Sequence, residues 1–177
     1  MTAPASQPGR ILHLGCGRET LPVFYAGYHE VRFDIDPAVE PDIVGDITDL
    51  SAIDSRSFDI VYSSHVLEHL YEYQVVPTLK EMRRVLVKGG YAMINVPNLD
   101  DVRPTDETVY QSPVGPITGL DMFYGHTGMV KDNPYMAHKT GFTSPKMAKA
   151  LEDAGFAVGV VKNIGTKTLM GIGINNG

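Results

Sequence analysis

The chain has 177 residues, of which 43% are hydrophobic and 20% are charged, and its formal net charge is −6 at pH 7. These values are ordinary for one globular domain, and the acidic balance argues against a broad nucleic-acid or anionic-membrane surface, which would need a basic face. A single cysteine excludes an internal disulfide framework and favours a reducing, cytoplasmic compartment, and no apolar run approaches the roughly 20 residues of a membrane span. We expect residues 1–9 to form a disordered leader and residues 10–177 to form a single domain.

The first predicted element is a buried strand over residues 10–14, which leads straight into the turn Gly15-Cys16-Gly17. Glycine permits positive φ and a close approach of the backbone to a ligand. A strand, a glycine turn and a helix begin many nucleotide-binding sheets. A plain strand-to-helix turn explains two glycines about equally well, so the turn alone leaves both interpretations open.

A helix and a second strand are predicted next. Apolar residues at helical spacing predict a helix that ends near Gly27, and the alternation over residues 29–36 predicts a strand. Asp34 ends this strand about twenty residues after the glycine turn, where an acid can accept hydrogen bonds from ribose hydroxyls. We favour ribose binding, although Asp34 or Asp36 could instead cap a turn before Pro37.

The third strand is predicted to be short, at Ile43 and Val44. The stretch from Pro37 to Pro41 is too short for a full crossover helix, so we expect the second helix to be missing or reduced to one turn. Asp46 follows the strand. It could meet an adenine amino group or cap a short turn, and local sequence does not separate these alternatives.

The fourth predicted strand, residues 57–64, opens into the helical turn HVLEHL. His65 and His69 lie four residues apart and therefore share one face of a helical turn. Two such histidines can bind a metal, but a further ligand is needed and the order differs from HExxH. We therefore expect no metal site.

The remaining elements are a helix, a strand, an insertion and a C-terminal unit. An amphipathic helix is predicted over residues 74–90, with basic residues near its end that suit the helix dipole, and a fifth strand over 91–98. Residues 98–143 are rich in proline, glycine and aromatic residues and predict a long loop insertion, either a lid or binding loop or a structural excursion or oligomer contact. A helix over 144–155 and an antiparallel hairpin over 156–174 follow.

Several segments, taken in this order, resemble a known family: LHLGCG, an acid after the second strand, GDITDL, FDIVYSSHVLEHL and RRVLVKGG. They are similar to the class I S-adenosylmethionine-dependent methyltransferases, and most of all to the small type 11 group. The resemblance is clear over residues 10–97 and holds in outline over 144–174. It implies an α/β, Rossmann-like doubly wound sheet of seven strands, mostly parallel with a C-terminal antiparallel hairpin, and S-adenosyl-L-methionine as cofactor.

The resemblance also implies a set of cofactor contacts. Asp34 would bind the ribose hydroxyls, Asp46 would reach the adenine amino group, and Ile47 would line the adenine ring. The full set that it implies is His13, Gly15, Cys16, Gly17, Asp34, Ile35, Asp46, Ile47, Ser63, Ser64 and His65. The chain departs from the family at His13, where relatives often have an acid, and at Glu19, where a glycine is frequent.

Methyl transfer is an in-line displacement, so the enzyme must mainly orient the acceptor against the methyl carbon. A general base helps when the acceptor is a hydroxyl or a protonated amine. His65 and His69 are the first candidates because they follow the fourth strand at the methyl end. Tyr124, His126 and His138 in the insertion come second, and each candidate could equally be structural.

The expected acceptor is a small molecule, for example a sugar or glycan precursor or a secondary metabolite. The sequence SSHV after the fourth strand differs from the pattern of amino-methylating DNA enzymes, and no cluster of carboxylates there favours a metal-assisted catechol-type site. Two alternatives are kept: a non-catalytic S-adenosylmethionine-binding or partner module, and a less favoured nucleotide-dependent oxidoreductase. A homodimer is also left open, since a second subunit could cover the site.

Overall fold

The structure is a computed structural model that describes residues 8–165 and 167–177. Most of the predicted leader lies outside the described residues. Gly9 already belongs to the fold, because its carbonyl oxygen accepts a hydrogen bond of 2.8 Å from the amide of His29. The predicted leader therefore extended too far at its C-terminal end. Thr166, in the turn of the predicted C-terminal hairpin, lies outside the described residues.

The described residues form strands, α-helices and single 3₁₀ turns. The strands are β1 (Arg10–Leu14), β2 (His29–Asp34), β3 (Ile43–Val44), β4 (Phe58–Ser64), β5 (Leu86–Pro97), β6 (Thr108–Ser112), β7 (Gly115–Thr118), β8 (Ala157–Ile164) and β9 (Thr168–Ile174). The α-helices are α1 (Glu72–Val85), α2 (Gly119–Tyr124), α3 (Thr127–Asp132) and α4 (Ser144–Asp153). Single 3₁₀ turns lie at Val23–Tyr25, Pro37–Val39, Leu67–His69 and Pro134–Met136.

One seven-stranded sheet has the order β3-β2-β1-β4-β5-β9-β8, in which β9 runs antiparallel to both β5 and β8 and the other pairs are parallel. This topology confirms the predicted fold class and the C-terminal hairpin. Leu14 lies opposite Phe33 on one side and Ser63 on the other. The carboxyl ends of β1, β2 and β4 therefore meet at one edge, where open α/β sheets bind their ligands.

The main hydrophobic core lies between one face of the sheet and the helices α1 and α4. Leu12, Leu14 and Val61 reach it from the central strands, and Leu79 and Met147 reach it from the helices. Each of these side chains is fully buried. Burying an aliphatic side chain of this size contributes about 1.5–3 kcal/mol, so this face anchors the strands whose ends form the site.

The opposite face of the sheet is covered differently. Ile11 and Ile60 pack there against Tyr25, which lies in the 3₁₀ turn Val23–Tyr25. The predicted helix ending near Gly27 is wrong: within the described residues this segment forms only that single turn. Pro22 takes an extended conformation (φ −52°, ψ 142°) immediately before the turn, so no helix runs through it. The apolar residues that predicted a helix instead pack from a single turn.

The connection from β2 to β3 is as tight as predicted. It holds one 3₁₀ turn, Pro37–Val39, and the side chain of Asp36 accepts a hydrogen bond from the amide of Ala38 at 2.9 Å. Residues 45–57, between β3 and β4, contain no helix either. The guanidinium of Arg84 holds this segment by donating to the carbonyl oxygens of Leu50 (2.8 Å) and Ile53 (2.9 Å).

Helix α1 begins and ends earlier than predicted. The amide of Tyr71 donates to the side chain of Gln74 at 2.9 Å, which fixes the start of the helix. At the other end, Leu86 pairs with Phe58 and begins β5, so the backbone becomes extended several residues before the glycines. Within the described part of the chain, no helix has the length and apolarity needed to cross a membrane.

The insertion over residues 98–143 is folded, and the prediction of an irregular loop is wrong. It contains the hairpin β6–β7 and the helices α2 and α3, and Leu99, Ile117 and Met122 form a small core of its own. Its last residues return to the sheet, where the amides of Lys139 (2.8 Å) and Thr140 (3.1 Å) donate to the carbonyl oxygen of Glu68. This docking brings the insertion to the edge formed by β1, β2 and β4.

Candidate functional site

A cavity of about 760 Å³ lies over the carboxyl ends of β1, β2 and β4. That volume falls within the usual range for small-molecule and cofactor sites. Its lining combines the glycine turn, the acids that follow β2 and β3, the turn after β4 and the end of the insertion. The lining residues used below are Gly15, Gly17, Asp34, Ile35, Asp46, Ile47, His65, His69, Tyr71, Tyr135, Met136 and Lys139.

The turn after β1 requires glycine at its first position. Gly15 has φ +64°, and its amide donates to the carbonyl oxygen of Phe33 at 2.8 Å. A Cβ at this position would lie 2.3 Å from a methyl carbon of Val66. Gly17 also has a positive φ, +50°, but no atom lies within 4 Å of the place of its Cβ. The turn therefore exposes backbone at the floor of the cavity.

Asp34 joins the end of β2 to this turn. It is 9% exposed, and its Oδ2 accepts a hydrogen bond from the amide of Gly17 at 2.7 Å, while Oδ1 accepts one from Asp36 at 3.0 Å. An ionised carboxylate has about four acceptor sites, so capacity remains for hydroxyl donors in the cavity. The two interpretations of Asp34 from sequence, turn capping and ligand binding, are thus compatible.

Asp46 and Ile47 lie farther along the cavity. Asp46 Oδ1 accepts hydrogen bonds from the amide (2.9 Å) and the hydroxyl (2.8 Å) of Thr48, so the carboxylate does cap a turn. It also lines the cavity beside the nearly buried Ile47. An apolar side chain next to a carboxylate suits a flat heterocycle with an amino group.

A second cavity, of about 460 Å³, lies beside Gly15 and is lined by His13, Cys16, Ser64 and Glu19, among others. His13 is only 2% exposed, and its Nδ1 lies 2.7 Å from Oε1 of a residue on β2 that sequence reasoning missed, Glu30. Glu30 therefore supplies a carboxylate next to the position where relatives often carry an acid. The one signal in the sequence for Glu30 is its polar position in the alternating pattern of β2.

Burial governs the protonation of these groups. It lowers the pKa of His13, and the nearby Glu30 carboxylate only partly opposes that shift. The imidazole is therefore neutral around pH 7, with Nδ1–H donating to Glu30. Burial likewise raises the pKa of the Cys16 thiol, which keeps it protonated and poorly nucleophilic.

His65 stands at the end of β4 in the left-handed region, with φ +57°. Its side chain is about half exposed, and its Nδ1 lies 3.3 Å from Oε1 of Glu68. Partial burial lowers the pKa of His65, but the Glu68 carboxylate outweighs it and the pKa is raised above its ordinary value. A non-glycine residue in this conformation is strained, as is common where a side chain is held for function.

Three further groups converge behind His65. Glu68, His69 and His138 each place a ligand-type atom within 4.8 Å of the others. The expectation of no metal site rested on the lack of further ligands, and the structure places Glu68 and His138 beside His69. Sequence reasoning gave no role to Glu68 and ranked His138 second, because no local signal joins the turn after β4 to the end of the insertion.

Several predicted site residues are not brought together here. Ser63 is fully buried in β4 and lines neither cavity. Tyr124 is largely exposed, and neither it nor His126 lines either cavity. Neither cavity supports Ser63 as a cofactor contact or Tyr124 and His126 as catalytic candidates, and these three stay predictions from the sequence. Ile35 and Ser64 do line a cavity, the larger and the smaller respectively.

Comparisons with known proteins agree with this geometry. Residues 12–94 match a family model described as a methyltransferase domain. No curated protein matches the chain in sequence. The S-adenosylmethionine-dependent methyltransferase from Mesorhizobium loti superposes with a TM-score of 0.67 and 16% identity, over 97% of this chain and 93% of that chain.

Two other solved structures are similar in fold. One is 1,6-didemethyltoxoflavin-N1-methyltransferase from Burkholderia thailandensis, solved with bound 1,6-didemethyltoxoflavin and S-adenosylhomocysteine (TM-score 0.64, 16% identity, 94% of this chain and 71% of that chain). The other is the Haloferax volcanii protein solved in complex with the Trm112 methyltransferase activator (TM-score 0.64, 17% identity, 97% and 84%).

The family match covers the part of the sheet that builds the glycine turn, the acid after β2 and the turn after β4. The structural similarity extends to the remaining described elements. Together they confirm the resemblance seen in the sequence and the predicted cofactor class, S-adenosylmethionine. Residues 12–94 therefore match the methyltransferase-domain family model, and the chain has the fold of solved S-adenosylmethionine-dependent methyltransferases.

Proposed function

We propose that the protein transfers a methyl group from S-adenosylmethionine to an oxygen or nitrogen of a small-molecule acceptor. The observation that carries this proposal is the larger cavity, which joins Gly15 and Asp34 at one end to His65 and His69 at the other. Its volume of about 760 Å³ leaves room for a second small molecule beside a nucleoside-sized cofactor. One continuous cavity is what in-line transfer between two bound molecules requires.

The residues present fit the cofactor. The free acceptor capacity of Asp34 suits the ribose hydroxyls, and the open backbone of Gly17 allows the ligand to approach the turn. Asp46 and Ile47 suit the amino group and the ring of adenine. The smaller cavity, with the pair His13–Glu30, is our candidate for the charged methionine end.

When bound, S-adenosylmethionine supplies an electrophilic methyl group on a sulfonium centre. We expect the chain to orient the acceptor against the walls that Tyr71, Tyr135 and Met136 contribute to the cavity. His65 is our candidate for the base that accepts the acceptor's proton, because it is exposed to the cavity and follows β4.

The proposed acceptor class rests on the residues that form the walls of the larger cavity and on one protein of similar fold. Tyr71, Tyr135 and Met136 offer apolar and aromatic surface, and Lys139 brings a positive charge, with its Nζ 5.0 Å from the ring centre of Tyr71. One protein of similar fold is solved with bound 1,6-didemethyltoxoflavin. These features favour a small planar acceptor with a polar or acidic edge, such as a secondary metabolite, over the sugar or glycan precursor that we also named.

The test has two stages. Calorimetry should first show S-adenosylmethionine binding to the full chain, with NAD titrated as the comparison. S-adenosylhomocysteine formation is then measured with a panel of small phenolic, heterocyclic and sugar acceptors. The variant His65→Asn should lower turnover much more than cofactor affinity, whereas the matched variant His29→Asn, which changes an exposed histidine on β2, should alter neither. Binding of NAD in place of S-adenosylmethionine would favour the oxidoreductase alternative.

A second candidate function is a cofactor-binding module that acts through a protein partner. The observation that favours it is the thin cover of the second sheet face, where Val23 and Phe24 are exposed on the single turn. One relative in fold is solved with a protein activator. Tight cofactor binding without turnover on the whole acceptor panel would favour this module. The homodimer and the cytoplasmic location stay predictions from the sequence.

A further inference from the structure

The cluster behind His65 has the composition of a metal site. Glu68, His69 and His138 contribute one carboxylate and two imidazoles, and the potential ligand atoms lie within 4.8 Å of one another. Bonds of about 2.1 Å in a tetrahedral site put ligand atoms about 3.4 Å apart. Side-chain rotations that move the ligand atoms by about 1 Å would therefore close the cluster around an ion.

The Glu68 carboxylate is the strongest single observation. The residue is only 1% exposed, and neither carboxylate oxygen has a hydrogen-bond partner among the described residues. Oε1 does form an ion pair with Nδ1 of His65 at 3.3 Å, which leaves Oε2, in the described part of the chain, without a polar side-chain neighbour of this kind. A buried carboxylate whose one charged neighbour is a half-exposed imidazole is poorly compensated for its lost hydration, and a cation bound to it removes that cost. The carboxylate is therefore placed and oriented as a ligand.

The two histidines are arranged in the manner of metal ligands. His69 Nδ1 lies 3.2 Å from the carbonyl oxygen of Ala137, and His138 Nδ1 lies 2.9 Å from that of Met122. A carbonyl oxygen only accepts, so each Nδ1 carries a proton, and in the neutral ring Nε2 is the nitrogen left to bind a metal. Metal-bound histidines almost always donate their other ring nitrogen to such an acceptor, which fixes the tautomer and the ring orientation.

The backbone holds the two halves of the cluster together. The carbonyl oxygen of Glu68 accepts hydrogen bonds from the amides of Lys139 and Thr140, which directly follow His138, and the ring centres of His69 and His138 are 5.2 Å apart. The donor atoms therefore come from two segments that are fixed to each other. This is the support that a site needs if it is to exist before its ion binds.

We propose that Glu68, His69 and His138 bind one divalent transition-metal ion beside the larger cavity. Two imidazoles and one carboxylate favour Zn²⁺, Fe²⁺, Co²⁺ or Ni²⁺ over Mg²⁺ and Ca²⁺, which prefer oxygen ligands. Three protein ligands leave a coordination position free. His69 also lines the cavity, so the site adjoins the space proposed for the acceptor. The site needs no S-adenosylmethionine, so it can be tested apart from methyl transfer.

The test is Co²⁺ binding to the full chain, without a histidine tag and after treatment with a chelator. The visible absorption of bound Co²⁺ should saturate near one ion per chain and be reversed by Zn²⁺. The variants Glu68→Gln and His138→Asn should each weaken binding at least about tenfold. His29→Asn, at an exposed position on β2, is the matched control and should bind as the wild type does.

Two results would overturn the site: no saturable Co²⁺ absorption in the wild type, or binding in His138→Asn as tight as in the wild type. Thermal unfolding with and without Zn²⁺ gives a second readout, because an ion that binds the folded chain raises its Tm. Zn²⁺ should raise the Tm of the wild type and of His29→Asn but not of His138→Asn. If Glu68→Gln does not fold, His138→Asn decides. S-adenosylmethionine affinity in the same samples separates a failed metal site from a failed cofactor site.

Discussion

The carboxylate of Asp34 accepts a hydrogen bond of 2.7 Å from the backbone amide of Gly17. This contact joins the acid at the end of β2 to the glycine turn after β1. The two features are therefore one hydrogen-bonded unit at the floor of the larger cavity. A ligand that reaches one of them meets the other, which makes the pair the best place to test cofactor binding.

We predict that Asp34→Ala weakens S-adenosylmethionine binding. Losing hydrogen bonds to a charged acceptor costs about 1–3 kcal/mol, or roughly 5- to 150-fold in Kd. Calorimetry measures the change. Asp49→Ala is the control, because Asp49 also caps a turn, through the amide of Ser51 at 3.0 Å, but does not line the cavity. Equal affinity in the wild type and Asp34→Ala would remove Asp34 from the site.

Alanine at the two turn glycines should separate steric overlap from backbone strain. Gly15→Ala places a Cβ 2.3 Å from Val66 at φ +64°, whereas Gly17→Ala meets no atom within 4 Å at φ +50°. The left-handed conformation alone costs about 1–2 kcal/mol for a non-glycine residue. Urea unfolding should therefore show a clearly larger loss for Gly15→Ala than for Gly17→Ala. Equal losses would mean that Val66 moves aside at little cost.

The contribution of His13 to the stability of the fold should fall as the pH drops below the ordinary histidine pKa of 6.5. Burial lowers the pKa of His13 in the folded state, beside the charged groups Glu30, Arg32 and Asp34. The unfolded chain therefore takes up the proton first. The contribution of His13 is complete above pH 6.5 and is lost as the pH falls towards its folded pKa.

Free energies of unfolding measured by urea on both sides of pH 6.5 test this prediction for His13. The dependence on pH should be shallower in His13→Gln than in the wild type. His29→Gln, at an exposed position on β2, should keep the wild-type dependence. An unchanged dependence in His13→Gln would show that other groups account for it.

Arg84 should matter for stability and not for the cofactor. Its guanidinium pairs with Glu81 and donates to the carbonyl oxygens of Leu50 and Ile53. Arg84→Ala leaves the Ile53 carbonyl group without a donor among the described residues and the Leu50 carbonyl group with only the amide of Ile53, so it should cost about 1–3 kcal/mol of unfolding free energy. Lys149→Ala, which breaks an exposed ion pair on α4, should have little effect. A large loss of cofactor affinity in Arg84→Ala would contradict the structural role.

The fold was readable because its signals are local. Patterns of a few residues predict three of the strands: the one that ends at Leu14, the one that ends at Asp34 and the short one at Ile43–Val44. Helix α1 was recognised from its apolar stripe, but its ends were not. Leu86 becomes extended because it pairs with Phe58, and pairing between strands is a property of the whole sheet.

The candidate site was only partly readable. Gly15, Gly17 and Asp34 follow directly from a turn and a strand end, and the structure joins them at the larger cavity. Tyr124 and His126 were chosen by residue type within a segment whose path was unknown. The structure places them outside both cavities, since the insertion forms its own hairpin and helices before it returns to the sheet.

The sequence by itself determined the order of the seven strands of the main sheet, the helices α1 and α4, the glycine turn and the acid that ends β2. These depend on periodicity and turn chemistry, which act over a few residues. Only the tertiary structure decided that the Glu30 carboxylate contacts the imidazole of His13. It also decided that His138 lies beside Glu68 and His69. Both pairings join segments distant in the chain, and the sheet register and the docking of the insertion alone bring them into contact.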